Sequence, residues 1–164
     1  MPLMPSPTQS MKLCRRSLVA LATSMLLGGL AQATVIFSGS LEVTAGDPTQ
    51  LGRLSRNGTP QDWAGGEPFP GVINVTTSYH YVTLDLDLSA LEAGYVFGGY
   101  LQIIFDSIPT TTFLSAYLNS YNPADLSANW LGDPGFSGNF FGTDPLFFQV
   151  IAGSSDHLIL VLNE

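Results

Sequence analysis

The sequence predicts an all-β domain, a two-layer, jelly-roll-like β-sandwich, preceded by an N-terminal signal helix. Several short segments alternate apolar and polar residues with a period of two, as strands with one buried and one solvated face do. Gly and Pro, 17 and 11 in number, recur too often for long helices. Short strands divided by frequent turns are typical of a sandwich.

The first 33 residues have the pattern of a secretory signal peptide. A basic patch precedes an apolar run at residues 17–30, and Ala31-Gln32-Ala33 supplies small residues for cleavage. That run is about 14 residues, short of the ~20 that a membrane-spanning helix needs. We expect cleavage before Thr34, which leaves residues 34–164 as one domain that is secreted, periplasmic or at the cell surface, with no stable membrane span. The basic residues are Lys12, Arg15 and Arg16.

The exported part is strongly acidic. It holds all thirteen Asp and Glu residues but only two cationic side chains, Arg53 and Arg56. Nothing is available to neutralise a phosphate backbone, which excludes nucleic acid as a partner. We expect the arginines to pair with carboxylates such as Asp62 or Glu67, with an anion site as the alternative. The single cysteine, Cys14, precedes the apolar run, so the exported domain depends on its core without disulfides.

Two alternating segments define the clearest strands. Residues 82–89 set Val and Leu against Thr, Asp and Ser, and residues 101–106 repeat the pattern. Residues 146–151 and 158–162 are continuous apolar runs, as expected for strands covered on both sides or central in a sandwich. Two further strands are expected, at 34–43 and around 52–55.

The segment 113–135 is expected to tie the sheet together. It begins as a strand, breaks at Asn122-Pro123 and stops at Asp133-Pro134-Gly135. Aromatic and aliphatic anchors are spaced between these breaks.

No constellation for catalysis is present. Gly135-Phe136-Ser137-Gly138-Asn139 departs from the Gly-x-Ser-x-Gly nucleophile motif at its last position. Ser154-Ser155-Asp156-His157 holds the residue types of a hydrolase triad, but in one continuous turn that denies them the required geometry. His80 and His157 lack the spacing of zinc ligands. We predict a protein that is not an enzyme and needs no cofactor.

The candidate ligand-binding residues are aromatic. Trp63, Phe140 and Phe141 are candidates for a sugar-stacking surface, against the alternative that aromatic residues fill the core. Asp125 and Asp133 offer oxygen atoms in loops, but they lack the register of a calcium-binding loop. No metal site is therefore predicted, and these two aspartates are the first to test if calcium binds.

Several loop and core motifs, taken in order, resemble one known type of domain. The motifs are Arg56-Asn57-Gly58-Thr59-Pro60, Glu67-Pro68-Phe69-Pro70-Gly71, Ala116-Tyr117-Leu118, Tyr121-Asn122-Pro123-Ala124, Trp130-Leu131-Gly132-Asp133-Pro134-Gly135, Phe147-Phe148-Gln149-Val150 and Leu160-Val161-Leu162-Asn163-Glu164. On these motifs the chain, over residues 36–164, is similar to a bacterial exported β-sandwich domain of the pre-peptidase C-terminal type, as found in PEP-CTERM and other surface proteins. The resemblance implies a fold and an exported location, and it carries over no active-site residue.

The end of the chain carries a further expectation. Members of this family continue past the strand that matches residues 157–163 to a closing strand of the Tyr-x-Leu-x-Val type, whereas this sequence stops at Glu164. We expect the domain to lack its final strand, which leaves residues 157–163 as an unpaired apolar edge. Such an edge predicts self-association or marginal stability.

Two classes of function remain. The first is a non-catalytic exported module for surface, matrix or carbohydrate contact, with an extracellular glycan or protein as its partner. The missing catalytic groups and the aromatic, acidic loops favour it. The alternative is an accessory domain fragment of a secreted hydrolase or peptidase, which an open reading frame continuing beyond Glu164 into a catalytic domain would favour.

Overall fold

The computed structural model describes residues 17–23, 34–66, 68–90, 100–107, 111–138, 145–153 and 156–164. Within these ranges the chain forms β-strands and one turn of 3₁₀ helix, Leu88–Ala90, without an α-helix. The expected all-β class is confirmed. The strands are β1 (Ser17–Thr23), β2 (Thr34–Leu41), β3 (Thr49–Leu54), β4 (Val72–Asp87), β5 (Leu101–Asp106), β6 (Phe113–Leu118), β7 (Trp130–Gly132), β8 (Leu146–Val150) and β9 (His157–Asn163).

The strands form two antiparallel sheets. One has the order β2-β1-β5-β8 and the other the order β3-β4-β9-β6-β7. Many neighbours within a sheet are distant in sequence, as where β9 pairs with β4 and β6. Of the seven described pairings, four join strands that are not consecutive in the chain, so the sheets depend strongly on long-range pairing.

One apolar cluster contains residues from both sheets. Ile103 and Phe105 of β5 and Phe148 of β8 contribute to it from one sheet, and Leu158 and Leu160 of β9 contribute from the other. All five side chains are fully buried. Along β5 these buried residues alternate with more exposed ones, which confirms the predicted period of two.

β9 is the middle strand of its sheet. Leu160 faces the shared apolar cluster, whereas Ile159 and Val161 pack against Tyr117 on the opposite face. The prediction that this strand is covered on both faces is confirmed. The predicted unpaired edge is wrong, because β4 and β6 pair with β9 on either side along most of its length. Self-association through β9 thereby loses its structural premise.

β8 differs from the prediction in the other direction. It lies at the end of its sheet, and its buried residues, Phe148 and Val150, alternate with exposed Phe147. The strand is covered on one face only. Its continuous apolar sequence was misleading because Phe147 and the following Ile151 are apolar residues that remain exposed.

Part of the predicted signal helix is a strand. Ser17–Thr23 forms β1, which pairs with β2 on one side and β5 on the other. In this position its backbone groups find partners in both neighbouring strands, so the local apolar pattern is satisfied as a strand rather than as a helix. Residues 24–33, with the predicted cleavage site, lie outside the described residues.

The segment 113–135 has the expected role. After β6 the chain crosses the outer face of its sheet, where Leu126 and Trp130 pack in a cluster with Leu54 and Phe113. Beyond β7, Asp133 forms an isolated antiparallel bridge with Gln61. The segment thus joins the sheet to the connection that follows β3.

Two strands have different extents from those predicted. β3 covers Thr49–Leu54 rather than a short piece around 52–55. β4 begins at Val72, well before the alternation at residues 82–89. The sequence did not predict its first half, because that half is mostly exposed and has no buried face to produce an alternating pattern. Among the described residues there is no helix long and apolar enough to cross a membrane.

Candidate functional site

Trp63 lies on the surface beside the sheet-end strand β8. It is 50% exposed and stacks on Tyr100, with 5.6 Å between ring centroids and 28° between ring planes. Its backbone N–H donates to the carbonyl oxygen of Gln149 in β8 at 3.0 Å. A partly exposed indole supported by a second ring presents a flat apolar surface to a ligand.

The buried carboxylate of Asp62 fixes this position. Its Oδ2 accepts a hydrogen bond from the backbone N–H of Gln149 at 2.7 Å, and its Oδ1 accepts one from Gly65 at 3.0 Å. One side chain therefore holds both the turn that carries Trp63 and the strand beside it. The expected pairing of Asp62 with an arginine is wrong, because these backbone donors occupy the carboxylate and no ion pair joins it to a described arginine. Glu67, the other carboxylate named for that role, lies outside the described residues.

Two exposed apolar side chains lie in or directly after β8, the strand beside this aromatic pair. Tyr100 directly precedes Leu101, which pairs with Val150, so Tyr100 lies at the Ile151 end of β8. Ile151 and Phe147 are 46% and 56% exposed. We call Trp63, Tyr100, Phe147 and Ile151 the aromatic strip. The other two candidates for a sugar-stacking surface, Phe140 and Phe141, lie outside the described residues.

Asp125 is an exposed turn residue. Its Oδ1 accepts hydrogen bonds from the backbone N–H of Ser127 at 3.1 Å and from the Ser127 hydroxyl at 2.6 Å. These bonds hold the pKa of the Asp125 carboxyl below its usual value. The carboxylate closes an Asx turn, which is a common structural role for an aspartate in a loop.

Asp133 is in a different environment, with no exposed surface. Its Oδ1 accepts the backbone N–H of Gly135 at 2.8 Å, while its Oδ2 is buried without a hydrogen-bond partner. Burial raises the pKa of Asp133 to about 7, against the opposing effect of the Gly135 hydrogen bond. The described residues contain no group of three or more His, Cys, Asp or Glu side chains placed to hold a metal.

The Asp156-His157 part of the triad-like segment makes other contacts. His157 Nδ1 lies 2.7 Å from Asp85 Oδ1 on the neighbouring strand β4, and this hydrogen bond raises the pKa of His157. Asp156 accepts a backbone hydrogen bond from Gly153 through Oδ2. Ser154 and Ser155 lie outside the described residues.

A second candidate site is built around the two arginines. Arg53 follows Gly52, where a positive φ of 74° and a shift in register mark a bulge in β3. Bulges redirect side chains, and here the Arg53 guanidinium lies over the ring of Tyr79, with 5.6 Å from Cζ to the centroid. The Arg56 guanidinium lies 4.7 Å from the centroid of Phe113.

One side-chain and one backbone hydrogen bond join the loops around Arg56. Arg56 donates through Nη1 to the hydroxyl of Ser137, and the N–H of Gly58 donates to the carbonyl oxygen of Gly135 at 3.1 Å. Arg53 and Arg56 thereby line one cavity of about 670 Å³, which we call the arginine cavity. Its other lining residues are Asn57, Gly58, Tyr79, Thr111, Phe136, Ser137 and Glu164.

Sequence reasoning found parts of both sites. It selected Trp63 but not Tyr100, which stands next to a predicted strand and carries no local signal of the stacking. It noted that Arg53 and Arg56 are the only cations of residues 34–164, yet expected them to be neutralised. The signal that was missed is the position of the two arginines on either side of the end of β3. This spacing allows both guanidinium groups to line the same cavity.

Comparison with known proteins gives no further assignment. No family model matches the sequence, no curated protein is similar to it, and no solved structure matches its fold.

Proposed function

We propose that this protein is a non-catalytic exported module that contacts carbohydrate at an extracellular surface. The stacked pair Trp63 and Tyr100 carries the proposal. The apolar faces of sugar rings pack well on exposed aromatic rings, and amphipathic aromatic side chains are favoured where a binding surface stays partly wet.

The local structure supports a preformed surface. The backbone of Trp63 is tied to β8, and Asp62 holds the same turn through two backbone hydrogen bonds. A ring that is already positioned loses little conformational freedom when a ligand arrives. The exposed Phe147 and Ile151 extend the surface, so the aromatic strip offers room for more than one sugar ring.

We also infer that the two sheets pack face to face as a two-layer, jelly-roll-like sandwich. The support is the apolar cluster to which β5 and β8 contribute from one sheet and β6 and β9 from the other. Side chains that meet between two inner faces are the usual core of a sandwich. In this arrangement the aromatic strip belongs to the solvated side of the sheet that contains β8.

Export requires a change in that sheet. Cleavage before Thr34 would remove β1, which pairs with both β2 and β5. Since β2 and β5 are each antiparallel to β1, they run in the same direction and would have to pair in parallel or admit another strand. Mass spectrometry of the exported protein decides the point. A mature chain that begins at Thr34 supports processing, and one that retains Ser17–Thr23 contradicts it.

A glycan array followed by calorimetry tests the contact. Trp63→Ala is expected to weaken binding of the glycan selected on the array about tenfold, the usual scale of an aromatic stacking contact. Leu51→Ala is the matched control, because Leu51 is 63% exposed and lies in the other sheet. Binding that survives Trp63→Ala, in a variant with an unchanged circular dichroism spectrum, refutes the proposed contact.

A further inference from the structure

The arginine cavity concentrates positive charge in an acidic protein. Residues 34–164 contain two cations and thirteen acidic residues, and both cations line this one space. Of the lining residues, only Glu164 is acidic.

Most donors of the two guanidinium groups remain available. Each arginine has five N–H donors. Within the described structure the only hydrogen bond from either guanidinium is the one from Arg56 to Ser137. The Nε atoms of Arg53 and Arg56 are buried without a partner. Tyr79 and Phe113 support the flat faces of the groups, and with each Nε buried it is the Nη donors that can meet a ligand in the cavity.

The charge in the cavity is incompletely balanced. Neither arginine forms an ion pair with a described carboxylate. Glu164 Oε1 accepts a hydrogen bond from the Thr111 hydroxyl at 2.8 Å instead. Burial, and then repulsion from Arg53, lowers the pKa of Arg56 to about 10 against opposing effects that include attraction to Asp133, so Arg56 is still cationic at neutral pH. Asp133 attracts Arg56 electrostatically but forms no ion pair with it. A partly buried cation without a direct ion pair is costly, and a bound anion would relieve that cost.

We propose that the arginine cavity binds a monoanionic ligand whose charged group is a carboxylate attached to a six-membered ring. Among the lining side chains two arginines face a single acidic residue, Glu164, so the lining carries an excess of positive charge that one carboxylate can neutralise. The carboxylate has the fork geometry that guanidinium edges match. Tyr79 and Phe136 line the same space and provide apolar surface for the ring.

Two sources supply this chemistry, uronic acid residues of acidic polysaccharides and free aromatic acids. Calorimetry at constant ionic strength with the methyl glycoside of glucuronic acid and with benzoate separates them. Binding of either one supports the site and identifies its source, and failure of both overturns it. The methyl glycoside of glucose is the neutral control, and inorganic phosphate tests the charge. Glucose binding as tight as glucuronate, or phosphate binding tighter than both carboxylates, contradicts the proposal.

Variants localise the binding. Arg53→Gln is expected to weaken carboxylate binding about tenfold or more, because it removes a charge-assisted contact. Glu164→Gln keeps an oxygen to accept the Thr111 hydroxyl and raises the cavity charge by one. It is therefore expected to tighten binding of the carboxylate and, more strongly, of phosphate. This gain keeps the test decisive if Arg53→Gln does not fold, and unchanged affinity in Glu164→Gln overturns the charge argument.

One further variant separates this site from the aromatic strip. Trp63 does not line the arginine cavity, so Trp63→Ala is expected to leave carboxylate binding unchanged. Loss of carboxylate binding in that variant, with its fold intact, would assign the ligand to the aromatic strip and refute the arginine cavity.

Discussion

Replacing Asp133 with asparagine is expected to change how stability depends on pH. The folded-state pKa of Asp133 is about 7, against an ordinary value of 3.8, with burial as the main cause. At 1.36 kcal/mol for each pH unit, the folded state holds this proton more tightly than the unfolded chain by about 4 kcal/mol. The asparagine keeps an oxygen for the Gly135 N–H and does not titrate.

The sign follows from proton binding. Between about pH 3.8 and pH 7 the folded protein keeps a proton that the unfolded chain has released. The free energy of unfolding of the wild type therefore falls as pH rises through this window. The variant lacks this loss, so its stability relative to the wild type is expected to rise by about 4 kcal/mol from pH 4 to pH 8.

Urea unfolding followed by tryptophan fluorescence measures this difference. Asp125→Asn is the control, because Asp125 is exposed and the hydrogen bonds from Ser127 lower its pKa. A lowered pKa acts in the opposite sense, with stability lost as pH falls, so the control has no rise toward pH 8. A difference between Asp133→Asn and wild type that stays constant with pH, or shrinks as pH rises, refutes the reasoning.

Two further predictions concern a loop contact and a surface pair. Gly135→Ala is expected to cost about 3–5 kcal/mol in urea unfolding, because the added Cβ would lie 1.8 Å from the Thr59 carbonyl oxygen at a φ of +71°. Gly66→Ala, where φ is +59° and nothing lies within 4 Å, should cost only about 1–2 kcal/mol, and equal losses at both sites contradict the steric argument. Asp85→Asn is expected to lower the pKa of His157 in an NMR titration, because Asp85 raises that pKa in the wild type. The contact with Asp85 stabilises the folded protein at low pH, and this stabilisation is lost as pH rises through the His157 pKa. An unchanged His157 pKa would show that Asp85 is not its cause.

The sequence predicted the strands best where burial determines which positions are apolar. β5 alternates buried and exposed residues as predicted, and β9 is apolar on both faces because both faces are covered. Phe147 gave no such guidance, since an exposed aromatic residue in a sheet-end strand looks the same in sequence as a buried one. The order in which the strands pair could not be predicted from local sequence patterns. β9 lies between β4 and β6, and its partners in β4 are 70 or more positions away in the sequence. Only the tertiary structure reveals this pairing.

The candidate sites divide in the same way. Trp63 could be selected by residue type, but the contacts that hold it in place join distant parts of the chain. Its ring stacks on Tyr100, and the neighbouring Asp62 accepts a hydrogen bond from Gln149. Arg53 and Arg56 could be recognised as unusual, but whether an ion pair neutralises them depends on which carboxylates lie beside them in the fold. Asp62 is engaged by backbone N–H groups instead, a choice that residue type alone does not reveal.

Hydrogen exchange of backbone amides tests the arrangement of the sheets most directly. β9 pairs on both edges and is buried on both faces, so its amides at Leu158–Leu162 should exchange only through global unfolding. Amides of β8, at the end of the other sheet, should exchange faster through local opening, apart from that of Gln149, which donates to the buried Asp62 carboxylate. Slow exchange throughout β9 is the expected result, and exchange in β9 as fast as in β8 would contradict its place at the centre of the sheet.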